Sequence, residues 1–232
     1  TGPAVSLSAL ASNLGINDIL LGDLSLNAGL DKAGRVTLDK LSLENQGSSL
    51  HGEGRVDLSG QGMTAGSGNA IQLDLELANL DPGDFMVSSP LSGAFNGKIR
   101  IGGSFGQPVV KAEIGGQDLV FNQKKGGDAR FKMGFANGEL EIEKFQLALG
   151  NSLISGVGKS KLLDKNFALI PDPEIQLELA GASVFLEDFF PDMTGRLSLD
   201  GRVNGLFSNL KGVLTFDGNS LGVGGQQIDK FS

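Results

Sequence analysis

Apolar and polar residues alternate along most of this chain, and this period of two is the feature that most restricts its fold. Leu or Ile occupies every second position in residues 71–77 and again in the stretch Glu-Leu-Glu-Ile-Glu at 139–143. Successive side chains of a strand point to opposite faces, whereas a helix repeats every 3.6 residues. The pattern therefore predicts an all-β chain, with long antiparallel strands that each have one apolar and one polar face. Gly, Asn and Asp between the alternating stretches indicate turns.

Only one segment carries a helical pattern strong enough to consider. In residues 181–193, apolar side chains are spaced so that they would share one face of a helix of one or two turns, and Pro191 would end it. That face would consist of Val184, Phe185, Phe189 and Phe190. An apolar loop is the alternative. We therefore expect at most one or two short helices in the chain.

The alternating pattern is itself repeated. Residues 34–58 align without a gap on residues 138–162, with seven of 25 positions identical, and residues 93–105 align on 195–207. Repetition over such lengths indicates that adjacent units extend one structure. We predict one continuous repetitive β domain over residues 1–232, a segment of a longer protein, with one copy at about 34–136 and a second at about 138–218. Residues 219–232 would begin a further unit.

Both copies share an irregularity in the alternation. The apolar phase slips by one residue at Asp39-Lys40 in the first copy and at Glu143-Lys144 in the second. An extra residue inside a strand produces such a slip, because every later side chain then changes face. The slips predict a β-bulge at each position, and a tight two-residue turn is the alternative.

The order of these patterns resembles that of a known family. Residues 173–221, and residues 71–121 in the first copy, contain a Leu-rich alternating strand, a short apolar crossing segment and a strand of the form Gly-x-Leu-x-Leu-x-Gly-x-Val-x-Gly-x-Phe, found at 195–207. This order is similar to the AsmA-like superfamily of Gram-negative envelope proteins, and within it to the TamB-type repeats. The resemblance covers most of the chain and rests on Gly and apolar positions.

The resemblance implies a fold, a place and an activity. Members of the family have a long, strongly twisted antiparallel sheet that curls into a taco-like, U-shaped groove with an apolar concave face. They are anchored in the inner membrane, cross the periplasm and are linked to phospholipid movement toward the outer membrane. TamB-type members are also linked to outer-membrane protein assembly with a barrel partner. The resemblance thus predicts a periplasmic segment whose partner is phospholipid.

The alternation independently predicts one continuous apolar face that something must cover. An acyl-chain lipid would fill a groove with such a lining, and a dry sandwich core is the alternative, in which case the chain would be a structural spacer, a β-sandwich or solenoid without cargo. The predicted lining residues are Leu73, Leu75, Phe95, Ile99, Ile101, Phe105, Phe131, Phe135, Leu140, Ile142, Leu177, Leu197, Leu199, Phe207 and Phe216.

The residues that suggest chemistry do not form a recognisable site. His51 is the only histidine, and it lies in an alternating stretch where Glu53, Arg55 and Asp57 share its face. The acidic segments 81–84 and 188–192 lack the regular oxygen spacing of a calcium loop. We expect no catalysis, no cofactor and no metal.

Composition excludes further classes of function. The chain has no Cys, which excludes disulfides and thiolate metal sites, and no Trp or Tyr, which argues against sugar-binding platforms. Its net charge is -8 and its Lys and Arg residues are scattered, so nucleic acid is not an expected partner.

Overall fold

The computed structural model describes residues 4–16, 19–58, 70–85, 91–121, 124–164, 168–190, 192–223 and 226–231. Fourteen strands form one antiparallel sheet, in which each strand pairs with its neighbours in sequence. The first eight strands are β1 (Val5–Ile16), β2 (Ile19–Leu30), β3 (Arg35–Asn45), β4 (Ser48–Asp57), β5 (Ala70–Leu80), β6 (Leu91–Ser104), β7 (Gln107–Phe121) and β8 (Lys124–Ala136). The others are β9 (Glu139–Leu149), β10 (Ser152–Lys161), β11 (Glu174–Phe185), β12 (Met193–Leu206), β13 (Asn209–Val223) and β14 (Gln226–Phe231).

Two helices of one turn each interrupt the strands. Helix α1 (Pro82–Phe85) follows β5, and helix α2 (Leu186–Phe189) follows β11. The prediction of an all-β chain with at most two short helices is confirmed. The predicted helix at 181–193 is too long, because Val184 and Phe185 pair with Leu197 and Arg196 in the ladder between β11 and β12.

The sheet is open. Strands β1 and β14 lie at its two ends and do not pair. Among the described residues, each strand pairs only with its neighbours in one sheet, and no second sheet is present. A sandwich of two separate sheets is therefore not the architecture of the described residues.

The surface area agrees with a sheet that lacks a covering layer. The accessible surface is 14734 Å². A compact globular protein of 24.1 kDa would expose about 10,000 Å². A larger area than that of a compact domain is expected of a chain whose described residues form one open sheet.

The elements recur in the same order along the chain. The series β3, β4, β5, α1, β6, β7, β8 is followed by β9, β10, β11, α2, β12, β13, β14. The expected boundary at residue 218 falls inside β13, which continues to Val223. Each series thus comprises six strands and one short helix.

Both predicted bulges are confirmed. On β3, Leu38 pairs with Gly54 and Leu41 with Gly52, so two residues of β3 oppose one residue of β4. On β9, Ile142 and Phe145 pair with Gly158 and Gly156 of β10 in the same way. The extra residue lies within Asp39-Lys40 and Glu143-Lys144, as the phase slips predicted.

A second line of irregularities runs along one edge of the sheet. Asn13, Asn79 and Asp118 have positive φ angles of 53°, 50° and 51°, and each lies at a register shift near the end of its strand. The next strand supplies a side-chain oxygen to each of their N–H groups, as Asp128 does for Asp118 at 3.4 Å. Bulges bend strands and increase their twist, so this edge departs from a flat sheet.

The two edges formed by the strand ends differ. We name the edge that contains α1, α2 and the turns at Gln46–Gly47 and Gly150–Asn151 the helix margin. We name the opposite edge, with the turns at Phe105–Gly106, Asn137–Gly138 and Phe207–Ser208, the hairpin margin.

Candidate functional site

One face of the sheet, here called the apolar face, carries continuous rows of apolar side chains. Directly paired residues of an antiparallel ladder project from the same face, and Leu75 pairs with Gly52 on β4 and with Ile99 on β6. Followed through the ladders from β1 to β13, this row contains Ala9, Leu26, Leu41, Gly52, Leu75, Ile99, Ala112, Met133, Ile142, Gly158, Leu177, Val203 and Gly212. At about 4.8 Å per strand, it crosses roughly 58 Å without a polar side chain.

Most of the predicted lining residues lie on this face. The register places Leu73 beside Ile101, and Phe135 beside Leu140. Their burial varies along the sheet: Phe95 is buried, whereas Phe216 on β13 is 39% exposed. The lining residues half-buried on the apolar face are Leu73, Leu75, Ile99, Ile101, Phe131, Phe135, Leu140, Ile142, Leu177 and Leu199, and Leu197 is buried like Phe95.

Phe105 and Phe207 are placed differently from the other lining residues. Each occupies a two-residue turn at the hairpin margin, where Phe105 is 46% and Phe207 67% exposed. The alternation continues into these turns in the sequence, but the ladder between β6 and β7 ends at the pair Ser104 and Gln107. They lie at the rim of the apolar face rather than on its rows.

Glycines on the apolar face make room for side chains from both sides. A Cβ atom at Gly156 would lie 2.8 Å from Leu179 on β11 and 3.6 Å from Phe145 on β9. Gly52 is covered from both neighbouring strands in the same way by Leu75 and Leu41. Large side chains from the two neighbouring strands therefore occupy the space above these glycines, which a side chain at the glycine position would fill.

The opposite face, here called the polar face, carries paired charges. Arg100 lies 3.2 Å from Asp74, and Lys98 lies 3.8 Å from Glu76, in the ladder between β5 and β6. His51 projects from this face, with its Nδ1 3.2 Å from Ser42 Oγ. The prediction that His51 belongs to the solvated side of a strand is thus confirmed by its register and exposure.

Glu143, at the bulge of β9, pairs with Lys132 across the ladder. Their side chains approach to 2.7 Å. The hydrogen bond that Lys132 donates to Glu143, together with the negative charge of that carboxylate, raises the pKa of Lys132. Open crevices lie between the long side chains of this face, including one of about 800 Å³ beside Arg202 and Lys211. They are gaps between exposed side chains and differ from an enclosed ligand pocket. One of these side chains, Arg202, pairs with Glu178 at 3.6 Å.

Polar side chains on the apolar face are concentrated at the helix margin, where they hold the two helices. Ser152 Oγ accepts a hydrogen bond from the N–H of Phe185 at 2.7 Å and donates one to Asp188 Oδ2 at 2.7 Å. Ser48 makes the same pair of contacts, with the N–H of Asp81 at 2.8 Å and with Asp84 Oδ2 at 2.6 Å. We call these two arrangements the serine clasps. Both serines are 2% exposed.

Sequence reasoning did not identify the clasps, although their signal is present. Ser48 and Ser152 are identical positions of the repeat, and Asp84 and Asp188 stand the same 104 residues apart (188 − 84). The acidic segments at 81–84 and 188–192, which lack the oxygen spacing of a calcium loop, supply the carboxylates of the clasps. Their aspartates instead accept hydrogen bonds from the chain itself, including the N–H of Asn151 at 3.0 Å.

Within the described ranges, no group of His, Asp and Glu side chains is arranged to hold a metal ion. Neither of the two described helices has the length or the apolar character to cross a membrane.

No protein-family model, curated protein or solved structure matches this chain. The similarity to the AsmA-like superfamily rests on the sequence patterns alone and stays a prediction.

Proposed function

We propose that this chain is a non-enzymatic segment of a lipid-binding groove, which shields or conducts the acyl chains of phospholipids. One observation carries the proposal. The apolar face extends over thirteen strands, and the described residues form no second sheet that could cover it. An apolar face of this length is unfavourable in water, at roughly 25 cal/mol for each Å² exposed, and a ligand that covers it recovers that free energy.

The chemistry of the face favours acyl chains over a more structured ligand. Sites for polar small molecules combine apolar walls with a few placed donors and acceptors. The row through Leu75, Ile99 and Ile142 contains no such group. Leu, Ile, Met and Phe side chains that repeat at strand spacing suit a ligand that is itself uniform and apolar.

A curled sheet would turn this face into a groove. The bulges on β3 and β9 and the line of bulges near the helix margin favour curvature, because each bends its strand. The glycines covered by Leu75 and Leu179 favour curvature toward the apolar face, since they relieve crowding on the inner side of a bend. We infer that the apolar face is concave.

The cellular setting of the proposal comes from the resemblance to TamB-type repeats. In that setting the groove belongs to the periplasmic part of a protein anchored in the inner membrane, and phospholipid passes along it between the inner and outer membranes. Assistance to outer-membrane protein assembly would depend on a barrel partner that binds other parts of the full protein.

Bound lipid tests the proposal directly. The chain is purified without detergent from cells of a Gram-negative host after export to the periplasm, and native mass spectrometry and lipid extraction identify what it carries. We expect phospholipid to co-purify at a defined ratio. A lipid-free chain that also fails to take up phospholipid from vesicles would contradict the proposal and support a structural spacer.

A matched pair of variants locates the binding face. Leu73→Asp places a charge on the apolar face, whereas Gln72→Asp places the same charge on the polar face of the same strand. We expect Leu73→Asp to lower lipid occupancy and Gln72→Asp to leave it unchanged, with far-UV circular dichroism to confirm that both variants remain folded. If both variants fold and carry equal amounts of lipid, the lipid does not bind to the apolar face at β5.

A further inference from the structure

The two margins of the apolar face differ in how deeply their side chains are buried. Phe95 on β6, near the helix margin, is 9% exposed, while Phe105, in the turn that follows β6 at the hairpin margin, is 46% exposed. Leu197 on β12, near the helix margin, is 6% exposed, while Leu210, which pairs with Gly205 near the hairpin margin, is 45% exposed. Packing is therefore tight along one margin and loose along the other.

Other described apolar residues follow the same division. Buried Leu119, Leu149 and Val184 all lie in the helix-margin ends of their strands, whereas buried Ala112 and Ala129 lie near mid-strand. Leu169, between β10 and β11 on the hairpin side, is 73% exposed. The exceptions are Leu20, Leu153 and Phe190, which lie near the helix margin and are 44%, 52% and 53% exposed.

Helix α2 takes part in the packing at the helix margin. Its residues Leu186 and Phe189 pack with Ile154, Leu197 and Leu199, which project from the apolar face. The clasp formed by Ser152 and Asp188 fixes this helix to the start of β10. The helix thus lies over the end of the apolar face.

Helix α1 is attached in the corresponding place. The clasp formed by Ser48 and Asp84 joins it to β4. In addition, Asn45 donates hydrogen bonds to the carbonyls of Asp84 and Leu20, at 2.8 and 2.9 Å, and so links the helix to β2 and β3. Asn45 is 6% exposed. Each repeat therefore fastens one helix over the same margin.

We propose that α1 and α2 close the groove along the helix margin and that the hairpin margin is its open side. A bound phospholipid then lies with the ends of its acyl chains toward the helices and its charged headgroup at the hairpin margin. A charged headgroup is unfavourable away from water, and side chains at the helix margin are more deeply buried than those at the hairpin margin. The inference rests on the proposed lipid-binding function and adds the orientation of the ligand.

The dimensions allow this orientation. From Leu140 to Leu147 on β9, seven residues at about 3.3 Å each cover roughly 23 Å along the strand. The acyl region of one leaflet is about 15 Å thick, half of a hydrocarbon core of about 30 Å. One acyl chain thus fits between the two margins along a single strand.

The absence of cysteine from the chain makes a site-specific test possible. Single cysteines at Leu140 and Leu147, near opposite margins of β9, carry a small fluorophore in the otherwise unchanged chain. Each labelled protein is loaded with phosphatidylcholine that carries a nitroxide quencher either on the headgroup or near the end of one acyl chain. Glu141→Cys, on the polar face of the same strand, is the control for quenching by lipid that is not in the groove.

We expect the headgroup nitroxide to reduce fluorescence more at position 140 than at 147, and the chain-end nitroxide to do the reverse. Equal quenching at both positions, or the opposite order, with lipid bound would overturn the orientation and leave the proposed function intact. A chain that binds no lipid in mass spectrometry, labelled or unlabelled, would instead overturn the proposed function.

The clasps supply a second measurement. Ser48→Ala combined with Ser152→Ala removes both hydroxyls that hold the helices. In a folded double variant that still binds lipid, we expect headgroup quenching at position 147 to rise toward its value at 140. An unchanged quenching pattern in that variant would show that the clasps do not close the margin.

Discussion

Ser152 and Asp188, which are 36 residues apart, are joined by a hydrogen bond of 2.7 Å that ties a strand to the helix above it. The hydroxyl has a second role, because it accepts the N–H of Phe185. The buried Ser152 Oγ therefore accepts one hydrogen bond from the backbone and donates one to a carboxylate. The same arrangement at Ser48 indicates that the repeat preserves a structural joint as well as an apolar pattern.

Ser152→Ala is expected to destabilise the chain by about 1–3 kcal/mol, because it removes the side-chain acceptor of the Phe185 N–H and one of the two hydrogen bonds that Asp188 Oδ2 accepts. Urea unfolding followed by circular dichroism measures the change. Ser155→Ala, on the same strand, removes an exposed 3.3 Å hydrogen bond to the Ala180 carbonyl and is expected to change stability by less than about 0.5 kcal/mol. Equal effects of the two substitutions would contradict the role assigned to the clasp.

Gly156→Ala is expected to be unfavourable although alanine is usually the better residue in a strand. The added Cβ would lie 2.7 Å from the Glu178 carbonyl oxygen and 2.8 Å from Leu179 Cδ2, an overpacking that costs about 1–3 kcal/mol. Gly115→Ala is the control, since its nearest atom would be 3.8 Å away, and there we expect a gain of about 0.5 kcal/mol. Thermal unfolding of both variants gives the comparison, and destabilisation by Gly115→Ala alone would refute the crowding argument.

Deletion of Glu143 tests the bulge on β9. Without the extra residue, Lys144 follows Ile142 directly, so Leu140, Ile142, Phe145 and Leu147 alternate regularly and all stay on the apolar face. Only the local bend and twist of the bulge are lost, and we expect a deletion variant that remains folded by circular dichroism and unfolds cooperatively in urea. Glu143→Gln keeps the bulge and loses only an exposed ion pair with Lys132, for which we expect less than about 1 kcal/mol. An unfolded deletion variant beside a folded Glu143→Gln would show that the strand needs the bend of the bulge itself.

Asp172 is expected to titrate below its ordinary pKa of 3.8, because the Ser208 hydroxyl and N–H both donate hydrogen bonds to its carboxylate, at 2.6 and 2.8 Å. A depressed folded pKa means that the carboxylate stabilises the fold above the unfolded pKa, and that this contribution disappears as pH falls through the folded value. Carbon-detected NMR titration between pH 2 and pH 6 measures the pKa in the wild type and in Ser208→Ala. We expect the substitution to raise it toward 3.8, and an unchanged pKa would rule out Ser208 as the cause.

The sequence was informative where a local pattern determines the structure. The bulges at Asp39-Lys40 and Glu143-Lys144 were predictable because a change of apolar phase has few explanations inside a strand. The limits of β11 were not, since the apolar spacing around Val184 and Phe185 suits a strand and a short helix equally well. Only the pairing of Val184 with Leu197 decides between them.

Part of the candidate site was likewise predictable from the sequence, and part was not. Alternation assigned Leu73, Ile101 and Leu140 to one face, and the register joins them in shared rows. Alternation did not reveal that Phe105 belongs to a turn, because a turn of two residues preserves the spacing of apolar positions. The partnership of Ser48 with Asp84 was also hidden, since it depends on where a helix crosses the sheet and not on any neighbouring residue.

Pairing only between sequence neighbours has a consequence for how such a chain changes in size. Each series of six strands, such as β3 to β8, adds about 29 Å to the width of the sheet at about 4.8 Å per strand. Because β1 and β14 do not pair in the described part of the chain, a duplication of one series would insert six strands and leave the existing strand pairs unchanged. The number of tandem copies in a gene would then set the distance that its product can bridge, in steps of about 29 Å.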